Sequence, residues 1–318
     1  MSAKPELTQV ERDKLTINPD FDFKNDIAQR SLDDIPPNEL AMFKWSGIYQ
    51  QLQRGFFMMR LRIPGGLVNA DQLDKIADIA DAFAQGQICI TTRMTVQFHW
   101  LRKDDLWKIH EEVAKVALDS KNACGDVTRN VVTCPLQGVC PHEIGDVRET
   151  IMTIAEDREL KDEQRNFPRK HKISINGCGR ACGQTLMNDQ SWHPVKRGGE
   201  TGWRYYAGGG LGARPFMAKL IFDWVPADLV LKVTQAAAEV YRRHGNRRVR
   251  AFARLKFIVD QLGVQNFTDA VLGVLRERNV GGIERIERAT GLANIERIFL
   301  DGQSVIPQRQ SHELQPWF

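Results

Sequence analysis

The sequence lacks any apolar run long enough to cross a membrane. Its most apolar stretch, residues 216–233, is interrupted by Lys219, Asp223 and Asp228, whereas a membrane-spanning helix needs about 20 predominantly apolar residues. The first 22 residues also lack the apolar core of a signal peptide. We therefore expect a cytoplasmic protein that does not insert into membranes.

A large excess of charge of either sign is also absent. The 318 residues include 44 Lys or Arg and 40 Asp or Glu, which gives a formal net charge of +4. This excess is too small to indicate nucleic acid binding, and the arginine-rich stretch 241–256, interpreted as a helix, matches no nucleic acid-binding motif. A mildly basic chain suits an anionic substrate or cofactor, or an acidic protein partner.

Cysteine is scarce, with six residues in the chain, and disulfides are rare in the cytoplasm. Four of them form two spaced pairs in stretches rich in Gly and Pro: Cys134 and Cys140 in a C-x5-C spacing, and Cys178 and Cys182 in a C-x3-C spacing. A four-iron cluster takes one thiolate per iron and needs close backbone approach. Zinc is the competing metal, although its usual C-x2–4-C spacing fits the first pair poorly. We expect Cys89 and Cys124, which have no motif partner, to be buried in the core.

The length suggests roughly two domains. Periodicity predicts a strand at 56–63, a helix at 70–84, a second strand at 87–101 and a helix at 104–118. Short strands and helices alternate from about 122 to 264, followed by a helical segment and a polar tail. We expect an N-terminal arm at 1–44, a first half-domain at 45–120, a second domain at 121–266 and a C-terminal tail at 267–318. The arm (1–40) and the tail (268–318) are expected to wrap the rest.

Several predicted strands carry cations along one face. Alternation places Thr91, Arg93, Thr95, Gln97 and His99 opposite Ile88, Ile90, Met94, Val96, Phe98 and Trp100. Arg60 and Arg62 share a face before a Pro-Gly-Gly turn, and Lys170 and Lys172 share one that leads into the second cysteine pair. Any one such face could simply be solvated, but three together indicate a common anionic ligand.

These motifs together resemble those of the siroheme-containing sulfite and nitrite reductase superfamily. The C-x5-C pair followed by the C-x3-C pair is similar to its cluster signature. Further similar segments are residues 58–66 (MMRLRIPGG), 91–99 (TTRMTVQFH), 128–131 (TRNV), 168–172 (PRKHK), 208–212 (GGGLG) and 244–248 (HGNRR). They occur in the family's order and cover about residues 40–275.

The resemblance implies an α+β fold, in which a ferredoxin-like half-domain precedes an α/β domain that carries siroheme and a 4Fe–4S cluster. It implies that Cys134, Cys140 and Cys178 hold three cluster irons and that Cys182 links the fourth to the siroheme iron. Four cations are assigned by resemblance to the oxyanion substrate: Arg60, Arg129, Lys170 and Lys172. The siroheme rim is assigned to Arg93, Arg169 and Arg254, with Thr91 and Gln97 as hydrogen-bonding partners.

The activity implied is the six-electron reduction of sulfite to sulfide. Lys172 favours sulfite, because plant-type nitrite reductases resemble this segment but carry Asn there, and an extra cation helps a doubly charged anion more. Reduction of nitrite to ammonia, a non-catalytic cofactor-bearing subunit and a corrinoid-modifying relative remain alternatives.

The partners implied are an electron-donor protein, either a ferredoxin or a flavoprotein, and a second half-domain. Common family members carry two such halves in one chain, whereas this sequence has one half that holds both the cations and the cysteines. A lone half would leave a sheet edge uncovered. We therefore expect a homodimer, or a heterodimer with a homologous chain.

Overall fold

The computed structural model describes residues 6–180 and 182–290. Two β-sheets, one in each half of the chain, are joined by irregular segments, and the mixture of helices with mainly antiparallel strands confirms the predicted α+β class. Within these residues, every helix is either too short or too polar to traverse a lipid bilayer.

The N-terminal arm contains two helices, α1 (Gln9–Thr16) and α2 (Pro37–Met42). Buried ion pairs fix α1 against the C-terminal half: Lys14 Nζ lies 2.6 Å from Glu11 Oε1 and 3.0 Å from Asp126 Oδ2, and Arg247 Nη1 lies 2.7 Å from Glu11 Oε2. We call these four residues the anchor network. Farther along the arm, Phe21 and Phe23 pack edge-on against Phe43 near the first sheet.

The first sheet is antiparallel, with the strand order β1-β2-β4-β3. Its strands are β1 (Ile48–Gln50), β2 (Phe56–Arg60), β3 (Ile88–Ile90) and β4 (Val96–Arg102), and its helices are α3 (Ala70–Phe83) and α4 (Leu106–Ala114). Asn69 caps α3, because its Oδ1 accepts from the Gln72 backbone N–H at 2.8 Å while Gln72 Oε1 accepts from the Asn69 N–H. The predicted helix at 70–84 is thus confirmed, and its Ile76 and Ile79 enter one core with Phe98.

The predicted single strand at 87–101 is wrong, since these residues form a hairpin of β3 and β4. The Thr91 N–H donates to the Thr95 carbonyl at 2.9 Å, the two threonine hydroxyls lie 2.7 Å apart, and Met94 adopts a positive φ of 55°. The predicted faces fail as well: Ile88 and Ile90 are exposed on the edge strand. Periodicity did not reveal the turn because Thr and Met are ordinary strand residues.

The second sheet has the order β5-β6-β7-β8-β9, in which only β5 and β6 are parallel. Its strands are β5 (Ile173–Ile175), β6 (Gln190–Arg197), β7 (Glu200–Ala207), β8 (Lys219–Pro226) and β9 (Glu287–Arg288), and the helices of this half are α5 (Arg148–Ala155), α6 (Val230–His244) and α7 (Leu255–Glu277). The core of this half includes Trp192, Tyr205 and Phe222 from the sheet and Tyr241 and Phe267 from the helices.

Two predicted boundaries need correction. The stretch 241–256 is not one helix, because α6 ends at His244 and an irregular segment precedes α7. The tail does not begin at 267, because α7 continues to Glu277 and buries Phe267 and Val271 in the core. We propose that the second domain extends to the end of α7. Residues 291–318 of the predicted tail lie outside the described residues.

Candidate cation and cysteine site

Four of the predicted site cations are brought together where the two halves of the chain meet. Arg60 ends β2, Arg129 lies in a segment that bridges to His171 and Ser174 beside β5, and Lys170 and Lys172 directly precede β5. We call Arg60, Arg129, Lys170 and Lys172 the cation wall. Within the described part of the chain, no carboxylate forms a salt bridge with any of the four.

Arg60 is held by its neighbour on β4. Gln97 pairs with it across the two strands, and the Gln97 amide oxygen, turned toward Arg60, accepts from Arg60 Nε at 3.0 Å. Arg60 Nη1 also lies 3.4 Å from the Sγ atom of the buried Cys124. Burial raises the pKa of the nearby Tyr49 phenol, and the Cys124 thiol raises it further. Arg62 is different from Arg60: it is buried and paired with Glu156 at 2.8 Å, away from the wall.

Arg129 is buried and fixed by the backbone. Its Nε donates to the Gly125 carbonyl at 2.8 Å, and its Nη1 donates to the Ala123 carbonyl at 3.2 Å. Its own backbone N–H donates to the His171 carbonyl at 2.8 Å. Neutral carbonyls orient the guanidinium without cancelling its charge, so its full positive charge remains available to an anion.

The two wall lysines have pKa values near neutrality. Burial and the Arg129 charge lower the pKa of Lys170 to about 8, and burial and the Arg93 charge lower the pKa of Lys172 to about 7. His171 points away from them into the core, where it contacts Thr128 and Gln190. Because both protonation states of a group are populated near its pKa, these lysines can bind an anion and release a proton.

The residues predicted to bind the siroheme rim differ in whether their polar atoms already have partners within the chain. Arg93 donates to Asn188 Oδ1 at 2.8 Å and to the Asn130 carbonyl at 2.5 Å, while its buried Nε has no hydrogen-bond partner among the described residues. Burial and Arg129 lower the pKa of Arg93 to about 9. Arg169 is half-buried and forms no salt bridge with a described carboxylate. The Thr91 hydroxyl closes the hairpin turn and Gln97 holds Arg60, so both have partners within the chain.

The sequence analysis missed one buried carboxylate among these cations. Asp189, at the start of the second sheet, accepts from Arg254 Nε at 3.0 Å and from the Lys172 backbone N–H at 2.9 Å. It is fully buried. A single Asp between a cysteine motif and a strand has no sequence signature, because its contact with Arg254 spans 65 residues.

The two cysteine pairs lie on adjoining loops. The Ile144 N–H donates to the Gly177 carbonyl at 2.8 Å, which ties the loops together. Burial raises the pKa values of Cys134 and Cys178, and the neighbouring cysteine thiols raise them further. Cys134 and Cys178 are buried, Cys140 is partly buried and Cys182 is exposed. In residues 6–180 and 182–290, no three ligating side chains are arranged to hold a single metal ion, whereas a 4Fe–4S cluster takes one thiolate on each of four separate irons.

Close packing of backbone accompanies these loops. A Cβ atom on Gly177 would lie 2.8 Å from Gln137 Oε1, and one on Gly183 would lie 2.8 Å from the Thr133 carbonyl carbon. The Leu136 N–H also points to Cys134 Sγ at 3.4 Å. Of the two remaining cysteines, Cys124 is buried as predicted, whereas Cys89 is exposed on β3, contrary to the prediction.

Comparison with known proteins identifies two matching domain families. Residues 124–278 match the nitrite and sulphite reductase 4Fe-4S domain, and residues 49–116 match the nitrite/sulfite reductase ferredoxin-like half domain. The first match ends one residue beyond α7, in agreement with the revised end of the second domain.

Relatives of both substrate types are similar to the chain. The assimilatory ferredoxin-dependent nitrite reductase of Haloferax mediterranei is 34% identical over 76% of this chain and 45% of its own length. The sulfite reductase [ferredoxin] of Mycobacterium tuberculosis is 31% identical over 78% of this chain and 48% of its own length. The chain thus spans about half the length of these relatives.

Solved structures support the same assignment. The structure of the Mycobacterium tuberculosis NirA protein matches with a TM-score of 0.80 and 30% identity, over 86% of this chain and 54% of that one. A dissimilatory sulfite reductase matches with a TM-score of 0.60 at 16% identity, which supports the fold alone.

The described residues fit the cofactors of this family. Four cysteines on two adjoining loops are the donor set of a 4Fe–4S cluster. The unpaired Arg93 Nε and the half-buried Arg169 suit the carboxylates of siroheme, which need cations at their rim. By its two domain matches and this site, the chain belongs to the nitrite and sulfite reductase family, whose cofactors are siroheme and a 4Fe–4S cluster.

Proposed function

We propose that the protein reduces sulfite to sulfide in a six-electron reaction at siroheme coupled to a 4Fe–4S cluster. The observation that carries this proposal is the cation wall, whose four cations have no described carboxylate partners. The first cysteine loop meets the first half of the chain nearby, where the Thr133 N–H points to Met94 Sδ at 3.5 Å. Buried cations are costly unless an anion compensates them. The wall is therefore best explained as the receptor of an anionic substrate, and its completeness argues against a non-catalytic subunit.

The bound cofactors would supply electrons to the substrate in succession. Arg60 and Arg129 would hold the oxyanion, because their charge is permanent and their planar forks match its oxygens. Lys170 and Lys172, with pKa values of about 8 and about 7, would donate protons to the oxygens that leave as water. Cys134, Cys140, Cys178 and Cys182 would hold the cluster, and Cys182 would also help to hold the siroheme.

Sulfite is favoured over nitrite by Lys172. A doubly charged anion gains more than a singly charged one from an additional cation. Nitrite remains the second candidate, because nitrite reductases of Haloferax mediterranei and Synechococcus elongatus, at 34% and 30% identity, are among the relatives. The electron donor would be a ferredoxin, by analogy with these ferredoxin-dependent relatives, or a flavoprotein.

The chain would work together with a second half-domain. It spans about half the length of its relatives, and the edge strand β3 exposes Ile88 and Ile90. We propose a homodimer, or a heterodimer with a homologous chain, in which the second copy covers this edge. Co-expression of Arg129→Ala and Cys182→Ser chains tests whether the two copies share sites: mixed dimers should regain activity if they do.

The visible spectrum and metal content of the purified protein provide the primary test. We expect a chlorin absorption band, four irons with labile sulfide per chain, and viologen-dependent reduction with a higher kcat/KM for sulfite than for nitrite. Cys134→Ser, Cys140→Ser, Cys178→Ser and Cys182→Ser should each lose iron and siroheme. The matched control Cys89→Ser, at an exposed cysteine, should retain both. Full iron and sulfide in all four variants, or a tenfold preference for nitrite, would contradict the proposal.

A further inference from the structure

A cavity of about 230 Å³ lies between helix α1 and the cation wall. Val10 and Asp13 of α1 line one side, and the wall residues Arg129 and Lys170 line another. Three more cations line the cavity: Lys44, Arg169 and Arg250. The cavity is therefore continuous with the proposed substrate site but extends beyond it toward the N-terminal arm.

The carboxylates at this cavity are already engaged. Asp126 binds Arg250 at 2.8 Å and Lys14 at 3.0 Å, and Asp13 Oδ1 accepts from Gln9 Nε2 at 2.7 Å. Among the described residues, neither Lys44 nor Arg169 forms a salt bridge. Positive charge around the cavity therefore exceeds the negative charge that could neutralise it, which favours a bound anion.

Lys44 is a cation of this cavity that neither the substrate assignment nor the siroheme assignment uses. It lies in the short helical turn Phe43–Ser46, half-buried, with its Nζ 5.5 Å from the centre of the Tyr49 ring. Burial and the charge of Arg250 lower its pKa. Tyr49 borders both the cavity and the Cys124 thiol beside Arg60, so Lys44 stands on the approach to the wall.

The size of the cavity indicates what it can hold. Pockets for drug-sized ligands usually measure about 300–1,000 Å³, so 230 Å³ suits a small oxyanion with some water and not a macrocycle. The side of the cavity formed by α1 is rigid, because the anchor network holds that helix through buried ion pairs.

We propose that this cavity is an antechamber through which the oxyanion reaches the cation wall, and that Lys44 is the residue that draws it in. The inference rests on the proposed function, since it concerns the path to the same site. Fixed cations in a narrow cleft raise the local concentration of an anion and its rate of association. Lys44 therefore acts on binding and not on the chemical step.

Lys44→Gln in the siroheme-loaded enzyme tests this role. We expect about a tenfold fall in the second-order rate constant for sulfite association, followed by stopped-flow measurement of the siroheme absorption band, with kcat and siroheme content unchanged. Lys44→Arg should restore the association rate. The matched control is Lys24→Gln, which also removes a lysine placed over an aromatic ring, 4.6 Å from Trp107, but outside the cavity.

Each contrary outcome has a distinct meaning. An unchanged association rate constant in Lys44→Gln, with a wild-type enzyme that binds sulfite or nitrite, overturns the antechamber alone. A loss of siroheme in Lys44→Gln also overturns it, because Lys44 would then bind a cofactor carboxylate. A wild-type protein that neither binds nor reduces either anion overturns the proposed function, and the antechamber with it.

Discussion

The anchor network and the cation wall bury charge in opposite ways. In the anchor network, Glu11 faces both Lys14 and Arg247 at hydrogen-bond distance, so the charges are neutralised inside the chain. In the cation wall, Arg129 is buried against carbonyl oxygens, and Lys170 has no salt bridge within the described residues. Both regions contribute to one cavity, which Asp126 of the anchor network and Arg129 of the cation wall line.

This difference distinguishes ion pairs that stabilise the fold from cations that have no described carboxylate partner. A buried ion pair loses stability when one partner is removed, because the other charge remains desolvated. A partly buried cation without a described counter-ion already bears part of that cost, which appears here as the lowered pKa values of Lys170 and Lys172. Substitutions in the anchor network should therefore change stability, and substitutions in the wall should change catalysis.

The largest effect is expected for Glu11→Gln in the anchor network. The substitution keeps the shape but removes the charge that neutralises Arg247 and part of Lys14. We expect the free energy of unfolding to fall by about 3 kcal/mol, measured by urea titration, with kcat of the loaded enzyme unchanged. Arg54→Gln, which breaks an exposed pair with Asp33, should alter stability little. Equal free energies of unfolding for Glu11→Gln and Arg54→Gln would contradict the stabilising role of the anchor network.

Arg129→Met in the cation wall should show the reverse pattern. We expect kcat/KM for sulfite to fall about 100- to 1,000-fold, because a preorganised charge that acts on the reacting anion is lost. Stability should change less than in Glu11→Gln, since only hydrogen bonds to two carbonyls disappear. Steady-state kinetics and urea titration of the same preparation check both parts. A large loss of stability without a kinetic effect would place Arg129 with the anchor network.

The wall lysines predict a pH dependence. A lysine is charged below its pKa and neutral above it, so the values of about 8 for Lys170 and about 7 for Lys172 mean that anion binding weakens as the pH rises. Bound siroheme carboxylates would raise these values, so the alkaline limb should lie at or above them. We expect kcat/KM to fall about tenfold for each pH unit above the limb.

A substitution at Lys172 tests whether this lysine causes the alkaline fall of kcat/KM. Lys172→Arg keeps the positive charge and should move the alkaline limb to higher pH, because arginine stays protonated. The pH profile of kcat/KM for each enzyme provides the measurement. Identical limbs in both enzymes would show that Lys172 does not control binding.

The smallest effect concerns the choice of substrate. Lys172→Asn should shift the ratio of kcat/KM for sulfite over nitrite by about fivefold toward nitrite, because one charge at 4 Å in water is worth about 1 kcal/mol. Competition assays with both anions measure this ratio directly. Lys161→Asn, which removes a lysine already paired with Glu156, is the control. An unchanged sulfite-to-nitrite ratio in Lys172→Asn would show that Lys172 does not set the substrate preference.

The sequence by itself determined the chemistry of the site. Residue types and short spacings were sufficient to find both cysteine pairs and the helix that Asn69 caps, because these features depend on neighbours along the chain, whereas the four cations of the wall were assigned by the family resemblance. The similarity of several ordered motifs then predicted the α+β fold and the family.

Only the tertiary structure decided which charges are neutralised. Arg60 and Arg62 look equivalent in the sequence, yet Arg62 pairs with Glu156, 94 residues away, and Arg60 does not. Asp189 and Lys44 likewise gain their roles from contacts with distant segments. Pairing of this kind depends on long-range packing and burial, which strand alternation and residue spacing do not encode.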